Sequence, residues 1–352
     1  ARDSVGGVMR STVLMLGVLA GVVLVARPAV GQPAKTTDMR PRVDPPASEP
    51  LDVPRLDGPL RMHGAKLTQD ELLKSVRAAI VTGLRPVGNT SVVFAAELRG
   101  SVNAAFRPRQ KLKPLGYRAE IAAYRIARLL ELDNVPPVVS RMVPVAAVRE
   151  KIIPEFQAAA EEYVRALIPE RVGEQDMVPV AAIYWIPDMR DPGLDASRRV
   201  ERWTRHLQQS GRVRESELSW HRDIANVLVF DYLIGNPDRW SGSNLQGSHD
   251  GMRLYIRDHD LGFPEQDRVD RTRVLLETLM RTQKFSRRTV ARLRDMTRAS
   301  VAAEVAKDPR SREEAILSPA QLDGVMARRD TILSYVDSLV DEYGAERVLV
   351  FE

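Results

Sequence analysis

Two short segments carry the residues best suited to chemistry. Asp238 follows Gly235-Asn236-Pro237, Asn244 stands six positions further on, and Asp258 and Asp260 flank His259 in Asp258-His259-Asp260-Leu261-Gly262. A carboxylate in a turn, an amide six residues later and a second carboxylate at a strand end can converge on one hard cation. Magnesium and manganese prefer such oxygen ligands and are commonly held by one or two carboxylates together with substrate phosphates. Phosphoryl transfer then asks little more of the protein: one Asp to accept or orient the attacking hydroxyl, and an Asn and an Asp to hold metal on the nucleotide. Taken singly, each segment reads first as a turn or a strand exit, because turn chemistry selects the same residues.

The elements that must position these residues follow from local pattern. Thr68 to Thr82 has helical apolar spacing behind a Thr cap; Ser91 to Leu98 and Val102 to Arg107 read as strands joined at Arg99-Gly100-Ser101. Arg118 to Leu132 is strongly helical and stops before Val135-Pro136-Pro137, and a helix from about Pro154 to Leu167 separates strands Val138 to Val145 and Val178 to Ile186. Beyond residue 191 helices dominate: His221 to Ile234 behind a Ser219 cap, Val269 to Thr282, Ser286 to Ala306, and Ser318 to Tyr343 with Ser318-Pro319 as cap and first-turn proline. Met252 to Asp258 alternates as a short strand, placing Asp258 at its exit. The expected fold is therefore α+β and two-lobed, with a small sheet-containing lobe over 61–188 and a larger helical lobe over 189–352.

Composition narrows the field. The 352 residues include no cysteine, which excludes disulfides, thiolate metal sites and cysteine nucleophiles. None of the five histidines forms a His-x-x-x-His pair, which argues against a zinc hydrolase of that type. A net charge of +5 is mild at this length, and without a basic run interleaved with aromatics nucleic acid is not an expected partner. Met9-Arg10, the apolar stretch from Thr12 to Ala26 and the small residues of Ala29-Val30-Gly31 have the order of a secretory signal peptide over 1–31, with its start at Met9. That apolar core is short for a bilayer span, so no stable membrane span is expected after cleavage; an uncleaved signal anchor is the alternative. Residues 32–60 are proline-rich, as expected of a tether. The expected location is outside the cytoplasm: periplasm, extracellular space or secretory lumen.

Phe230 to Trp240 (FDYLIGNPDRW) together with the later IRDHDLGF resembles the catalytic core of secretory-pathway kinases of the four-jointed and Golgi casein kinase type, and more distantly HipA kinases and type II phosphatidylinositol 4-kinases. Ala104 to Arg141 also resembles that family's small lobe, where a strand carrying a nucleotide-binding lysine precedes a helix with its partner glutamate. The resemblance spans about residues 88 to 264 and implies a protein-kinase-like fold. It implies Asp238 as catalytic base, Asp258 as the metal-binding Asp that opens the activation segment, Asn244 as second metal ligand and Glu120 as the helix glutamate. The sequence departs from the family at Arg107, where the family usually carries lysine, at Trp240 in place of histidine, and at Asp260 in place of glycine. Guanidinium pairs well with phosphate but is larger and planar, so Arg107 is the expected nucleotide contact, with Lys111 or Lys113 as substitutes. Asp260 is either a further metal ligand or a solvent-facing carboxylate, Arg239 either structures the loop or is solvated, and Trp185 either contacts adenine or is core. Gly83, Gly88 and Asn89 lack the spaced glycines of a phosphate-covering loop. His221-Arg222-Asp223 spells the catalytic-loop signature of ordinary protein kinases, but helical spacing continues through it, and Asp223 belongs to a helix first turn.

The leading expectation is an exported phosphotransferase that uses ATP, or another nucleoside triphosphate, with Mn or Mg to modify a hydroxyl of a protein, glycan or small molecule. Two alternatives stay open: a nucleotide-binding scaffold without catalysis, motivated by Arg107, and a metal-dependent hydrolase built on Asp238, Asp258 and Asp260.

Overall fold

The computed structural model describes residues 51–352, apart from 89, 101 and 241–243. The signal-peptide segment, most of the proline-rich stretch, Asn89 and Ser101 therefore lie outside the described residues. The described residues form one compact unit.

Helix α1 (Gln69–Ala78) opens with a capping box in which Thr68 and Glu71 satisfy each other's backbone N–H groups. It ends earlier than its apolar spacing predicts: Ile80, counted in that spacing, is exposed, and β1 (Val81–Pro86) begins at once. Val81 and Gly83 pair with Leu98 and Glu97 of the next strand, β2 (Phe94–Leu98), while Thr82, at the irregularity between them, donates its hydroxyl to the Glu97 carbonyl; this tertiary pairing overrides the local helical period. Strand β3 (Ala104–Pro108) and helix α2 (Gly116–Leu129) follow, then β4 (Val138–Pro144) and a short helix, α3 (Val145–Lys151). The single helix expected over 154–167 is a 3-10 turn, Pro154–Ala159, running into α4 (Ala160–Ala166), with proline at its start favouring the tighter turn. Two strands close the sheet, β5 (Glu170–Val172) and β6 (Gln175–Tyr184), of which the sequence patterning shows only the second. The antiparallel order is β1-β2-β3-β6-β4, with β5 on β6.

Helices α5 (Ser197–Leu207) and α6 (Leu218–Ile234) lead to the chemistry-bearing loops. The first helical residue of α6 is Leu218, so Ser219 lies inside the helix and is not its cap; a 3-10 turn at Glu215–Glu217 feeds directly into it. A hairpin of β7 (Leu245–Gly247) and β8 (Leu254–Ile256) presents Asp258 two residues past its end. Then come α7 (Val269–Leu279), α8 (Arg287–Asp295), α9 (Arg298–Val305), α10 (Pro319–Tyr343) and α11 (Ala345–Val348). The one helix expected over 286–306 is thus two, divided where Thr297 leaves the helical conformation and caps α9 through Ser300. Among the described residues no helix is long and apolar enough to cross a membrane.

Two large apolar clusters hold these elements, with a small third of Met62, Ile186 and Tyr255. One lies under the sheet and includes Phe94, Phe106 and Val180 with Val76 of α1; the larger joins α2 and α6 to the C-terminal helices through residues such as Tyr117, Phe230 and Phe285. The C-terminal part also reaches back to the sheet: Asp308 accepts the Ser140 backbone N–H at 3.0 Å, and Arg310 donates to both carboxylate oxygens of Glu170 at 2.6 Å. Such a bidentate, charge-assisted contact fixes orientation as well as distance.

Candidate active site

The site begins at the end of α6. Gly235 takes the left-handed conformation (φ 68°) that ends the helix, and a Cβ there would stand 2.9 Å from Pro264 Cδ. Only glycine meets both demands without strain. The chain then turns so that the Asn236 side-chain amide donates to the Asp258 carbonyl at 3.2 Å, tying the two chemistry-bearing segments together.

Arg239 completes that tie. Fully buried, it forks onto Asp231 of α6 (Nε to Oδ2 2.9 Å, Nη2 to Oδ1 3.0 Å), while Nη1 donates to the carbonyls of Asn244 and Arg257. One guanidinium therefore fixes the helix end, the Asn244 backbone and the residue before Asp258. The solvated-turn reading of Arg239 is overturned: the side chain is buried, and its N–H groups go to protein acceptors instead of solvent. Asn244 in turn donates from Nδ2 to the Asp238 carbonyl at 2.7 Å, which directs its amide toward the aspartate.

These loops form one wall of a cleft of about 550 Å³ on the sheet face opposite Phe106, where the alternate β3 residues Ala105 and Arg107 point. Asp238, Asn244, Asp258, Asp260, Glu120, Arg107 and Trp185 all line it. Apolar side chains such as Val93, Ala105 and Ile183 line it too, alongside Gly88 and Thr90 of the loop after β1. Lys111 does not: it is exposed, and its backbone N–H donates to the Ala166 carbonyl. Lys113 lines the cleft instead and donates to Asp260 Oδ2 at 2.8 Å, because two further residues carry the chain round toward the start of α2.

Arg107 on β3 is buried among three carboxylates. Nη2 donates to Asp258 Oδ1 at 2.8 Å, Nη1 to Asp260 Oδ2, and Nε lies 3.2 Å from Glu120 Oε1. Burial alone would lower the Arg107 pKa, but the surrounding carboxylates, Asp258 first, hold it above its ordinary value. Asp260 is buried rather than solvent-facing, and burial raises its pKa against the pull of Arg107. Glu120 of α2 is fixed from its other side by His259, whose backbone N–H donates to Oε1 at 3.0 Å and whose Nδ1 lies 3.0 Å from Oε2. Burial would raise the Glu120 pKa; the His259 hydrogen bond and the Arg107 charge outweigh it and hold the group well below the usual carboxylate range. His259 also meets the Phe230 ring edge to face, with centroids 5.6 Å apart. Its role in holding Glu120 carried no signal in the sequence beyond its place between two aspartates.

Asp258 itself sits at φ 64°, a conformation that Asp tolerates better than most residues, and its side chain keeps about 30% exposure toward the cleft. The donor set facing the cleft is thus carboxylate and amide oxygen, suited to a hard divalent cation and not to a soft one.

No family model matches the chain. The human glycosaminoglycan xylosylkinase is 26% identical over 264 residues, covering 66% of this chain and 63% of that protein. Among solved structures, the Golgi casein kinase with Mn and ADP bound superposes at a TM-score of 0.59 and 18% identity, over 80% of this chain and 78% of its own. Hydra Fam20 with sugar superposes at 0.58 and 17% identity, over 81% and 93%. The chain is similar to Fam20-type secretory-pathway kinases. Its fold is the kinase-like α+β arrangement those structures share, and it spans 63% of the length of the xylosylkinase.

Asp238, Asn244 and Asp258 all line the one cleft. Asp223, in the decoy His-Arg-Asp run, lies elsewhere: it is buried in α6, accepts from Arg253 Nε at 2.7 Å and from the Leu254 backbone N–H at 2.9 Å, and so anchors β8.

Proposed function

We propose that this chain is an exported phosphotransferase that moves the terminal phosphate of ATP to a hydroxyl of a glycan, protein or small molecule, with manganese or magnesium as cofactor. The observation that carries this reading is the gathering of Asp238, Asn244, Asp258 and Glu120 on one 550 Å³ cleft, on loops locked together by Arg239. In this reading Asp258 and Asn244 hold the metal, which when bound neutralises charge on the nucleotide phosphates. Asp238 accepts or orients the acceptor hydroxyl. Arg107 and Lys113 offer positive charge to phosphate, and Glu120, held by His259, positions Arg107. Val93, Ala105 and Ile183 form the apolar surface for the base, with Trp185 beside them. Manganese and ADP are bound in the Golgi casein kinase, and the xylosylkinase acts on a glycan as its name states; both support the cofactor and the acceptor class.

The test is nucleotide binding followed by transfer. With ATP and manganese at 100 times the dissociation constant, the chain gains about 2.7 kcal/mol of stability, and Asp258→Ala abolishes the gain. Against a panel of sugar and protein hydroxyl acceptors, ADP release coupled to acceptor phosphorylation is lost in Asp238→Asn. Absence of any metal-dependent stabilisation at millimolar ATP overturns the reading.

A further inference from the structure

We propose a second metal site, remote from the cleft loops in sequence, in which His206, Glu217 and His221 bind a zinc-class transition metal and clip α5 to the first turn of α6. Among the described residues these three present one ligand atom each within 4.8 Å of one another. His206 is the penultimate residue of α5, Glu217 immediately precedes α6 and His221 lies in its first turn. The intervening loop brings them together although the histidines are 15 positions apart, a spacing that no short metal motif displays.

The chemistry of the three groups fits. His221 Nδ1 lies 2.9 Å from the Glu217 carbonyl, so the proton sits on Nδ1 and the Nε2 lone pair is directed away from the helix. That lone pair faces His206 Nδ1 at 3.0 Å. Two imidazole nitrogens on a tetrahedral zinc, each about 2.0–2.1 Å from the ion, stand about 3.3 Å apart. A metal therefore needs only a small opening to take the place of the proton now shared between them. A backbone carbonyl on the non-ligating nitrogen is the usual support of a metal-bound imidazole. Two nitrogens and one carboxylate leave a fourth position for water, and the depression over the cluster, about 320 Å³ and lined by Trp203 and Trp220, opens to solvent. Nitrogen ligands also separate this site from the cleft: imidazole suits zinc, copper and nickel, whereas the cleft offers oxygen.

Arg202, Arg205 and Lys284 act on the cluster through their charge. Arg202 Nη2 lies 3.7 Å from Glu217 Oε1, on a side chain that is two-thirds exposed and free to swing away, and Lys284 donates to the His206 carbonyl at 3.0 Å, not to its ring. Helix α5 buries only Trp203 and Leu207, so it has little apolar anchorage of its own. Trp203 stacks on Trp240, two residues past Asp238, with ring centroids 5.2 Å apart. A clip on α5 thereby steadies a neighbour of the cleft.

The test uses the full chain, stripped of metal by chelation and titrated with zinc against a chromophoric chelator, with cobalt absorption as a second readout. One tight equivalent is expected, weakened at least tenfold in both His206→Ala and Glu217→Gln and retained in Asp258→Ala, with a cobalt spectrum of tetrahedral intensity only where binding survives. Circular dichroism verifies the fold of each variant; should His206→Ala not fold, the near-isosteric Glu217→Gln decides. Zinc binding that is absent, unchanged by Glu217→Gln, or lost with Asp258 overturns the site.

Discussion

Arg107 and Asp258, 151 positions apart, meet through a 2.8 Å contact between Nη2 and Oδ1 in the floor of the cleft. The cation from the sheet and the carboxylate from the β8 exit each provide part of the other's environment, and Asp260 and Glu120 complete the cluster.

Removing that cation leaves three carboxylates facing one another. Arg107→Met is expected to destabilise the chain by about 3–5 kcal/mol, the usual consequence of taking one partner from a buried ion pair. Arg107→Lys keeps the charge but not the fork, so it should recover more than half of that loss; chemical denaturation of the three proteins measures both. Equal stabilities for Met and wild type would show that the cluster is not held by this residue.

Asp238 and Asp223 separate chemistry from architecture. Asp223→Asn loses the negative charge and one of the two oxygens that accept from Arg253 and should lower the unfolding free energy by about 1–3 kcal/mol, with transfer activity per folded molecule within threefold of wild type. Asp238→Asn should do the reverse, keeping the melting temperature within about 2 °C while activity falls at least a hundredfold, in the range general bases contribute. Activity and melting curves on the same preparations decide.

The Glu120 contact has a defined pH dependence. Its folded pKa lies below the ordinary 4.5, so its stabilisation is fully present above 4.5 and is lost as pH falls through the folded value of about 2. The stability difference between wild type and Glu120→Gln should therefore be flat from pH 5 to 7 and shrink steadily below 4.5. A difference that grows on acidification would reverse the sign of the shift. Asp260, whose pKa is raised, contributes with the opposite sign, so the comparison is made on the Glu120 pair alone.

Gly235→Ala adds a methyl group at φ 68°, 2.9 Å from Pro264 Cδ. A loss of about 1–3 kcal/mol is expected, together with a weaker metal-dependent nucleotide response, since the turn that delivers Asn236 and Asp238 starts there. Gly251→Ala, also at positive φ but with open space around the added carbon, should cost less and leave nucleotide binding intact.

Much of this chain is written locally. The capping boxes at Thr68 and Ser318, the proline after Ser318 and the glycine after Ile234 are set by residues within four positions of one another, so sequence alone places α1, α10 and the end of α6. The same holds for the turn that carries Asp238 and the strand exit that carries Asp258. Packing decided the rest. Val81 and Thr82 became strand because β2 lies beside them; Lys113 rather than Lys111 entered the cleft because the chain turns between them; and Arg239, in a turn where solvation was equally legible, is buried because its acceptors come from three separate elements. The sequence determined which groups are available for chemistry, since residue type and local spacing suffice for that. Which charges neutralise which, from Arg107 among its carboxylates to His206 beside His221, was decided only when distant segments were brought into contact, because burial and partner geometry are properties of the packed molecule.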